Sequence, residues 1–294
     1  NYSKETYKLA LTLAGDLTVR SNGAVTVTGR GYAAYVHGLG PGSGGGGTFP
    51  GAAHGGTSLN RGSPNTNTYG SVLCPTNAGS SGIYSAGGGI IILTVTGTIT
   101  VEAAGSIVAD GVEGLGPGSG GSVNLRTGFL VGGGSIRADA KKYGNYGSSG
   151  YGTAGGGRIA VTLTGEGADF ADWTGTITAY GGPGGGTSGS GGAGTVYLAT
   201  AAKPSGAGEV IADDGNRTDT VYCTFTALPA LKFKEECLQE THWVTRNKAQ
   251  ICLTTNAVIE SLALAADGAL ELGGWTLTVT EMTAAGSRVR SGVY

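Results

Sequence analysis

Apolar and polar residues alternate with period two through most of the chain, and clusters of glycine interrupt the alternation at regular intervals. Such alternation marks strands with one buried face. A helix over the same stretches would bury the wrong residues, and Gly and Thr are poor helix formers. The pattern recurs as an internal repeat. GGGIIILTVTGTITVEAAGSIVADG begins at Gly87, GSGGSVNLRTGFLVGGGSIRADA at Gly118, AGGGRIAVTLTGEGADFADWTGTITAYGG at Ala154 and GGAGTVYLATAAKPSGAGEVIADDG at Gly191. LTLAGDLTVRSNGAVTVTGRG, from Leu11, is an opening copy without the glycine leader. Leu93, Leu125, Val161 and Leu198 hold one equivalent place, 32, 36 and 37 residues apart.

The closing strand of each copy predicts a core. Ile107, Ile136, Ile177 and Val210 fall on one side, and Ala109, Ala138, Ala179 and Ala212 follow two residues later on that side. Val108, Arg137, Thr178 and Ile211 lie between and face outward. Stacked copies then give columns of Ile/Val and of Ala down a narrow interior. Glycine supplies the corners, because it reaches positive φ without steric cost. The longer Gly-Ser-Tyr stretches at 38–56, 141–157 and 181–194 are expected as loops thrown out from the coil. The expected fold is all-β, a parallel β-helix (β-solenoid) with long Gly-rich loops. Residues 1–215 make glycine-rich coils with a loop insertion at 31–86. Residues 216–294 continue the solenoid after a charged, Cys-containing insertion at 216–257, in one elongated domain. Within that insertion, 231–250 reads as a short helix, a charged edge or a loop. In the tail, Leu262 with Leu264, Leu270 with Leu272, and Leu277 with Val279 form inward pairs.

Composition narrows the function classes. Sixty of 294 residues are Gly and 13% are charged, a profile close to disorder, but 39% are hydrophobic and the net charge is −2, so there is apolar surface to bury. The glycines cluster without a G-x-y period, which excludes collagen. Near-neutral charge argues against a nucleic-acid partner. No apolar run reaches the roughly 18 residues of a membrane span. No signal peptide opens the sequence, so the numbering starts at a mature end or inside a longer chain. Cys74 stands alone; Cys223, Cys237 and Cys252 sit closer together, and either one disulfide forms among the three or all three are packed thiols.

Candidate chemistry is sparse. Asp110, Asp139, Asp213 and Asp214 end equivalent strands, and carboxylates about 4.8 Å apart in a stack are a candidate Ca²⁺ site. The competing reading is a turn, since Asp before Gly is ordinary turn chemistry and Tyr180 replaces Asp in the third copy. No other cofactor is expected. His37 and His54 flank a glycine loop without an acidic or thiol neighbour, so a solvated loop is expected there. His242, beside Trp243, suits sugar stacking or packing. The Gly-rich strings lack the strand-to-helix context and Lys of a phosphate loop, and no nucleophile elbow or zinc helix is present. Tyrosines gather in and beside the glycine stretches, among them Tyr32, Tyr35, Tyr69 and Tyr84. Tyr143, Tyr146, Tyr151 and Tyr180 are the candidate ligand-binding set, because Tyr with Gly and Ser suits glycan or protein contact. The same rings also serve to cover their own loops.

GGGRIAV from Gly155, TGTITAYGG from Thr174, GGAGTVYL from Gly191 and VIADDG from Val210 resemble the glycine-rich β-helical repeats of large bacterial secreted and surface proteins. SLALAADGALELGGWTLTV, from Ser261, is similar to autotransporter-passenger repeats. The resemblance covers the chain apart from 31–86 and 216–257. It implies a parallel β-helix and an extracellular, cell-surface location, and it leaves activity open, because adhesins, fibre proteins and polysaccharide lyases share the scaffold. The expected function is a non-enzymatic structural or adhesive one: a fibre, sheath or surface-assembly subunit, or a segment of a large adhesin. Its partners would be further copies joined end to end, a longer continuing chain, or glycans. The alternative is a carbohydrate-active β-helix, a lyase or a glycan-binding module.

Overall fold

The computed structural model describes residues 8–44, 50–60, 63–142, 152–184, 189–216, 225–228 and 238–290. All regular structure among them is β. The opening copy supplies β1 (Lys8–Leu13), β2 (Leu17–Val19) and β3 (Ala24–Thr26), and the insertion a short hairpin, β4 (Ser58–Asn60) and β5 (Ser63–Asn65). The repeats add β6 (Ile90–Val101), β7 (Ser106–Val108), β8 (Ser122–Val131), β9 (Ser135–Arg137), β10 (Arg158–Leu163), β11 (Thr176–Thr178), β12 (Thr195–Thr200) and β13 (Glu209–Asp213). The tail contributes β14 (Thr226–Leu228), β15 (His242–Arg246), β16 (Gln250–Leu253), β17 (Ala257–Leu264), β18 (Ala269–Glu271), β19 (Leu277–Ala284) and β20 (Arg288–Arg290).

One ten-stranded sheet, in the order β1-β6-β8-β10-β12-β13-β15-β17-β19, runs the length of the molecule, with β2 also paired to β6. Leu11, Leu93, Leu125, Val161 and Leu198 stand side by side in it, as the repeat predicts. A four-stranded sheet, β3-β7-β9-β11, faces its first half and aligns Val25, Ile107, Ile136 and Ile177. Between them lies a core of Ile91, Leu93, Ile99, Ile107, Leu125, Ile136, Ile159 and Val161, with Ala109, Ala138 and Ala179 where the walls come close. Each fully buried aliphatic side chain contributes about 1.5–3 kcal/mol, so this column is the main cohesive element of the first half.

The fourth copy departs from the expected column. Val210 and Ala212 do not join Ile177 and Ala179; β13 turns back and pairs antiparallel with β12, through a turn in which Gly206 takes φ +95° and Ala207 N–H donates to Pro204 O (3.1 Å). A link this short permits a hairpin but not the crossover a parallel pair requires. In the hairpin Val196 lies opposite Ile211 and Tyr197 opposite Val210, and opposed residues share a face. Val196 and Ile211 belong to the first core, whereas Tyr197, Val210 and Ala212 belong to a second one with Trp243, Ile251, Leu253, Ile259, Leu262, Leu264 and Leu270. The core therefore changes from one face of the long sheet to the other at β12–β13. The second sheet of this half is β14-β16-β18-β20, and from β16 onward its parallel register repeats every 19 residues, Gln250 on Ala269 and Ala269 on Arg288. The inward pairs expected in the tail line this second core. Of the segment left open at 231–250, 231–237 fall outside the described residues, and His242–Arg246 is strand followed by a turn.

Of the glycine stretches expected as outward loops, 45–49, 143–151 and 185–188 fall outside the described residues, and the segments that flank them are largely turned inward. Residues 50–56, 152–157 and 189–194 are almost wholly buried, and their backbones hydrogen-bond to one another. Along one stretch, Gly118 N–H donates to Val112 O, Ser119 N–H to Ser80 O, Gly120 N–H to Gly155 O and Gly121 N–H to Ala109 O, at 2.8–3.2 Å. Along the next, Gly155, Gly156 and Gly157 donate in turn to Ala52, Gly192 and Ala138. Successive donors thus point to three different neighbours, where a β-strand would alternate between two. That rotation matches the three-residue turn of polyproline II, whose backbone makes no internal hydrogen bonds and must find partners outside itself. The spacing admits no side chain: a Cβ on Gly120 would enter the carbonyl of Ala138, and one on Gly156 the carbonyl of Ala179.

Gly120→Ala or Gly156→Ala should destabilise the protein by about 1–3 kcal/mol or more in urea unfolding, because backbone rather than a movable side chain must yield. Gly15→Ala, where a Cβ meets nothing within 4 Å, should change stability by less than about 0.5 kcal/mol.

Candidate functional site

The carboxylates expected to form a stack separate into two places. Asp110 and Asp139 sit one coil apart at the ends of β7 and β9 and act as a ladder. Asp110 Oδ1 accepts the backbone N–H of Asp139 (2.9 Å), and Asp139 Oδ1 accepts that of Tyr180 (2.8 Å), while Thr178 Oγ1 donates to Asp139 Oδ2 (3.0 Å). The other oxygen of Asp110 faces Lys141 Nζ at 2.6 Å and an Arg137 nitrogen at 3.3 Å. Asp110 is 1% exposed, so its charge is matched by these two cations instead of water. Asp139 has its pKa raised, first by loss of solvent and then by the charge of Asp110.

Asp213 and Asp214 lie elsewhere, at the end of β13, because that strand has moved into the long sheet. Asp213 Oδ1 accepts Gly215 N–H (2.8 Å) and Asn247 Nδ2–H (2.9 Å), a turn-closing role. The four aspartates therefore do not converge, which corrects the expected Ca²⁺ column. Among the described residues no group of three or more His, Cys, Asp and Glu is placed to hold a metal ion. No helix among them is long and apolar enough to cross a membrane.

Of the candidate tyrosines, Tyr143, Tyr146 and Tyr151 fall outside the described residues. Tyr180 is half-buried, with its ring against Gly215. Cys223 and Cys237 also fall outside the described residues; Cys252 is buried and packs with Phe225 and Ala227, and Cys74 is exposed. His242 Nδ1 lies 2.9 Å from Ser261 Oγ, and its neighbour Trp243 is fully buried, so that pair is packing.

Two clusters were not legible in the sequence. The first is internal. His54, expected in a solvated loop, is wholly buried and stacks on Tyr69, ring centres 4.4 Å apart. Its Nδ1 lies 2.8 Å from Gly120 O, which assigns the ring proton to that nitrogen. Arg158, also fully buried, donates through Nε to Tyr69 O (2.8 Å) and through Nη1 to Thr195 Oγ1 (2.9 Å). Tyr69 OH in turn donates to Ala78 O at 2.6 Å. Together these bonds fasten the insertion across the glycine layer to β10 and β12. Nothing local marks Arg158 as buried; it occupies the register place held by Ser122 and Thr195 in neighbouring strands. The second cluster is external: Tyr35, Val36, His37 and Tyr84 are exposed together at the rim of the insertion.

Burial, and then the positive charge of Arg158, lower the pKa of His54 from 6.5 to about 3, against a smaller upward pull from the carbonyl of Gly120. The unfolded chain therefore binds the proton more readily than the folded one. The stabilisation is complete above about pH 6.5 and drains away as the pH falls towards 3, by roughly 5 kcal/mol at most. His54→Gln, which keeps a donor for Gly120 O but cannot titrate, should flatten the acid limb of a stability–pH curve measured by urea unfolding.

No protein-family model, no curated protein and no solved structure matches the chain.

Proposed function

We propose that the protein is a structural rod of an extracellular bacterial surface assembly, in which two parallel β-helical coils share one sheet and further strands stack on its outer edges. The observation that carries this reading is the state of those edges. Among the described residues β1 and β19 each have a sheet neighbour on one side only. The core-facing columns stay open there: Leu11 is 42% exposed at one end, and Met282 38% and Val289 51% at the other. Unpaired edges with apolar columns are templates for another strand. The covering strand comes from a further copy or from a longer continuing chain; joining β1 of one copy to β19 of the next is a heterologous contact, and one that does not close produces a filament. Low charge and the resemblance to glycine-rich surface repeats support the location. The lyase form of the carbohydrate-active alternative has less support, since its best acid, Asp110, is buried and paired with Lys141 and Arg137.

Negative-stain electron microscopy over a concentration series should show rods that lengthen with concentration, and Val279→Lys with Met282→Lys should reduce them to single-chain particles. Monodisperse short particles at the highest soluble concentration would contradict end-to-end assembly.

A further inference from the structure

The rim of the insertion carries a second surface, separate from the sheet edges. Residues 33–37, Ala-Ala-Tyr-Val-His, are exposed without interruption, and Tyr35 and Val36 are 44% and 42% accessible. Tyr84 stands beside them at 61%. The two segments are tied together: Tyr35 and Ile83 form a parallel bridge, Tyr84 N–H donates to Tyr35 O (3.4 Å) and Leu39 N–H donates to Ser81 Oγ (2.7 Å). The His37 ring lies edge-on to Tyr35, centres 6.1 Å apart.

Two features distinguish this patch from incidental exposure. Tyr84 has φ +60°, a left-handed backbone that a bulky aromatic residue rarely adopts and that costs free energy. Its neighbours hold it there. Ile83 and Ser85 are buried, Gly82 N–H donates to Ser85 O and Ser85 Oγ to Glu113 O, so the left-handed turn drives the Tyr84 ring outward. The backbone bonds of this turn leave the ring itself 61% exposed. The second feature is the absence of charge: neither 31–44 nor 78–89 contains Asp, Glu, Lys or Arg.

The geometry points to a carbohydrate-binding platform formed by Tyr35, His37 and Tyr84, which takes a neutral oligosaccharide. Rigid aromatic rings offer flat apolar faces to the C–H side of a pyranose, and the phenol and imidazole tips supply hydrogen bonds to its hydroxyls. An acidic polymer would find no cation in these segments. A peptide would gain no main-chain ladder from an irregular rim. The platform is independent of how rods stack, because it lies on the insertion and not on β1 or β19.

Isothermal titration of the intact protein with cellohexaose, xylohexaose, maltohexaose and chitohexaose, and with oligogalacturonate as the acidic control, tests the assignment. At least one neutral hexaose should bind saturably and the acidic one should not. Tyr84→Asn, which suits the left-handed backbone, should weaken binding at least tenfold while the melting temperature holds or rises; Tyr35→Ala should also weaken it. Absence of binding to every neutral hexaose, or preference for the acidic one, overturns the proposal. So does a Tyr84→Asn protein that binds normally or melts lower, since the ring would then be structural. A change in sedimentation for Tyr84→Asn would assign the patch to contact between copies instead, and unchanged rod length with lost binding separates the platform from the stacking edges.

Discussion

The close approach of bare backbones in the glycine layer is the constraint on which the rest of the molecule depends. Carbonyls of Ala109, Ala138 and Ala179 accept the N–H groups of Gly121, Gly157 and Gly194 at 2.8 Å, so each repeat carries a glycine segment whose successive N–H groups bond to different neighbours. Side chains are excluded by geometry, and the conformational entropy lost by each glycine is offset by hydrogen bonds that a buried backbone is obliged to make. The Ile and Leu column of the first core holds its shape because this layer fixes the distance between the long sheet and its partner. The insertion uses the same layer as a foundation: His54 bonds to Gly120, and Gly55 and Gly56 N–H groups both donate to Gly156 O.

The second organising event is the reversal at β12–β13. Strand direction and buried face change together there, so the two cores lie on opposite faces of one sheet. The halves differ accordingly. The first has copies 32–37 residues apart, with glycine segments closing them, and the second has a compact register of 19–20 residues with almost no glycine layer. The exposed rim at Tyr35 and Tyr84 is tied by backbone hydrogen bonds to the segments beneath it. Polar groups follow the same economy. Asp110 and Asp139 each secure the backbone of the next coil, and cations from Arg137 and Lys141 complete the first.

Much of the strand layout was legible in the sequence because period-two alternation is enforced by burial on one face. The alignment of Leu93, Leu125, Val161 and Leu198, and the tail pairs from Leu262 to Val279, follow from it. The reversal was not legible, because VIAD of β13 has the same alternation as SIVAD and SIRAD, and alternation carries no information about which strand will be its neighbour. The burial of 50–56, 152–157 and 189–194 was not legible for a related reason: glycine lacks a side chain, so no pattern of polarity records whether it is buried. The aspartates showed the limit of equivalence by position. Asp213 occupies the repeat place of Asp139 but follows β13 into another sheet. His54 and Arg158 owe their burial to contacts 66 and 89 residues away in sequence, beyond the reach of any local signal.

The claim that the glycine layer is a hydrogen-bonded frame is tested most directly by amide hydrogen exchange at neutral pH. The account predicts that the N–H groups of Gly118, Gly120, Gly121, Gly155, Gly156, Gly157, Gly192 and Gly194 exchange as slowly as those of β6, β8 and β10. Exchange of these glycines at the rate of open loops, with the strands still protected, would contradict it.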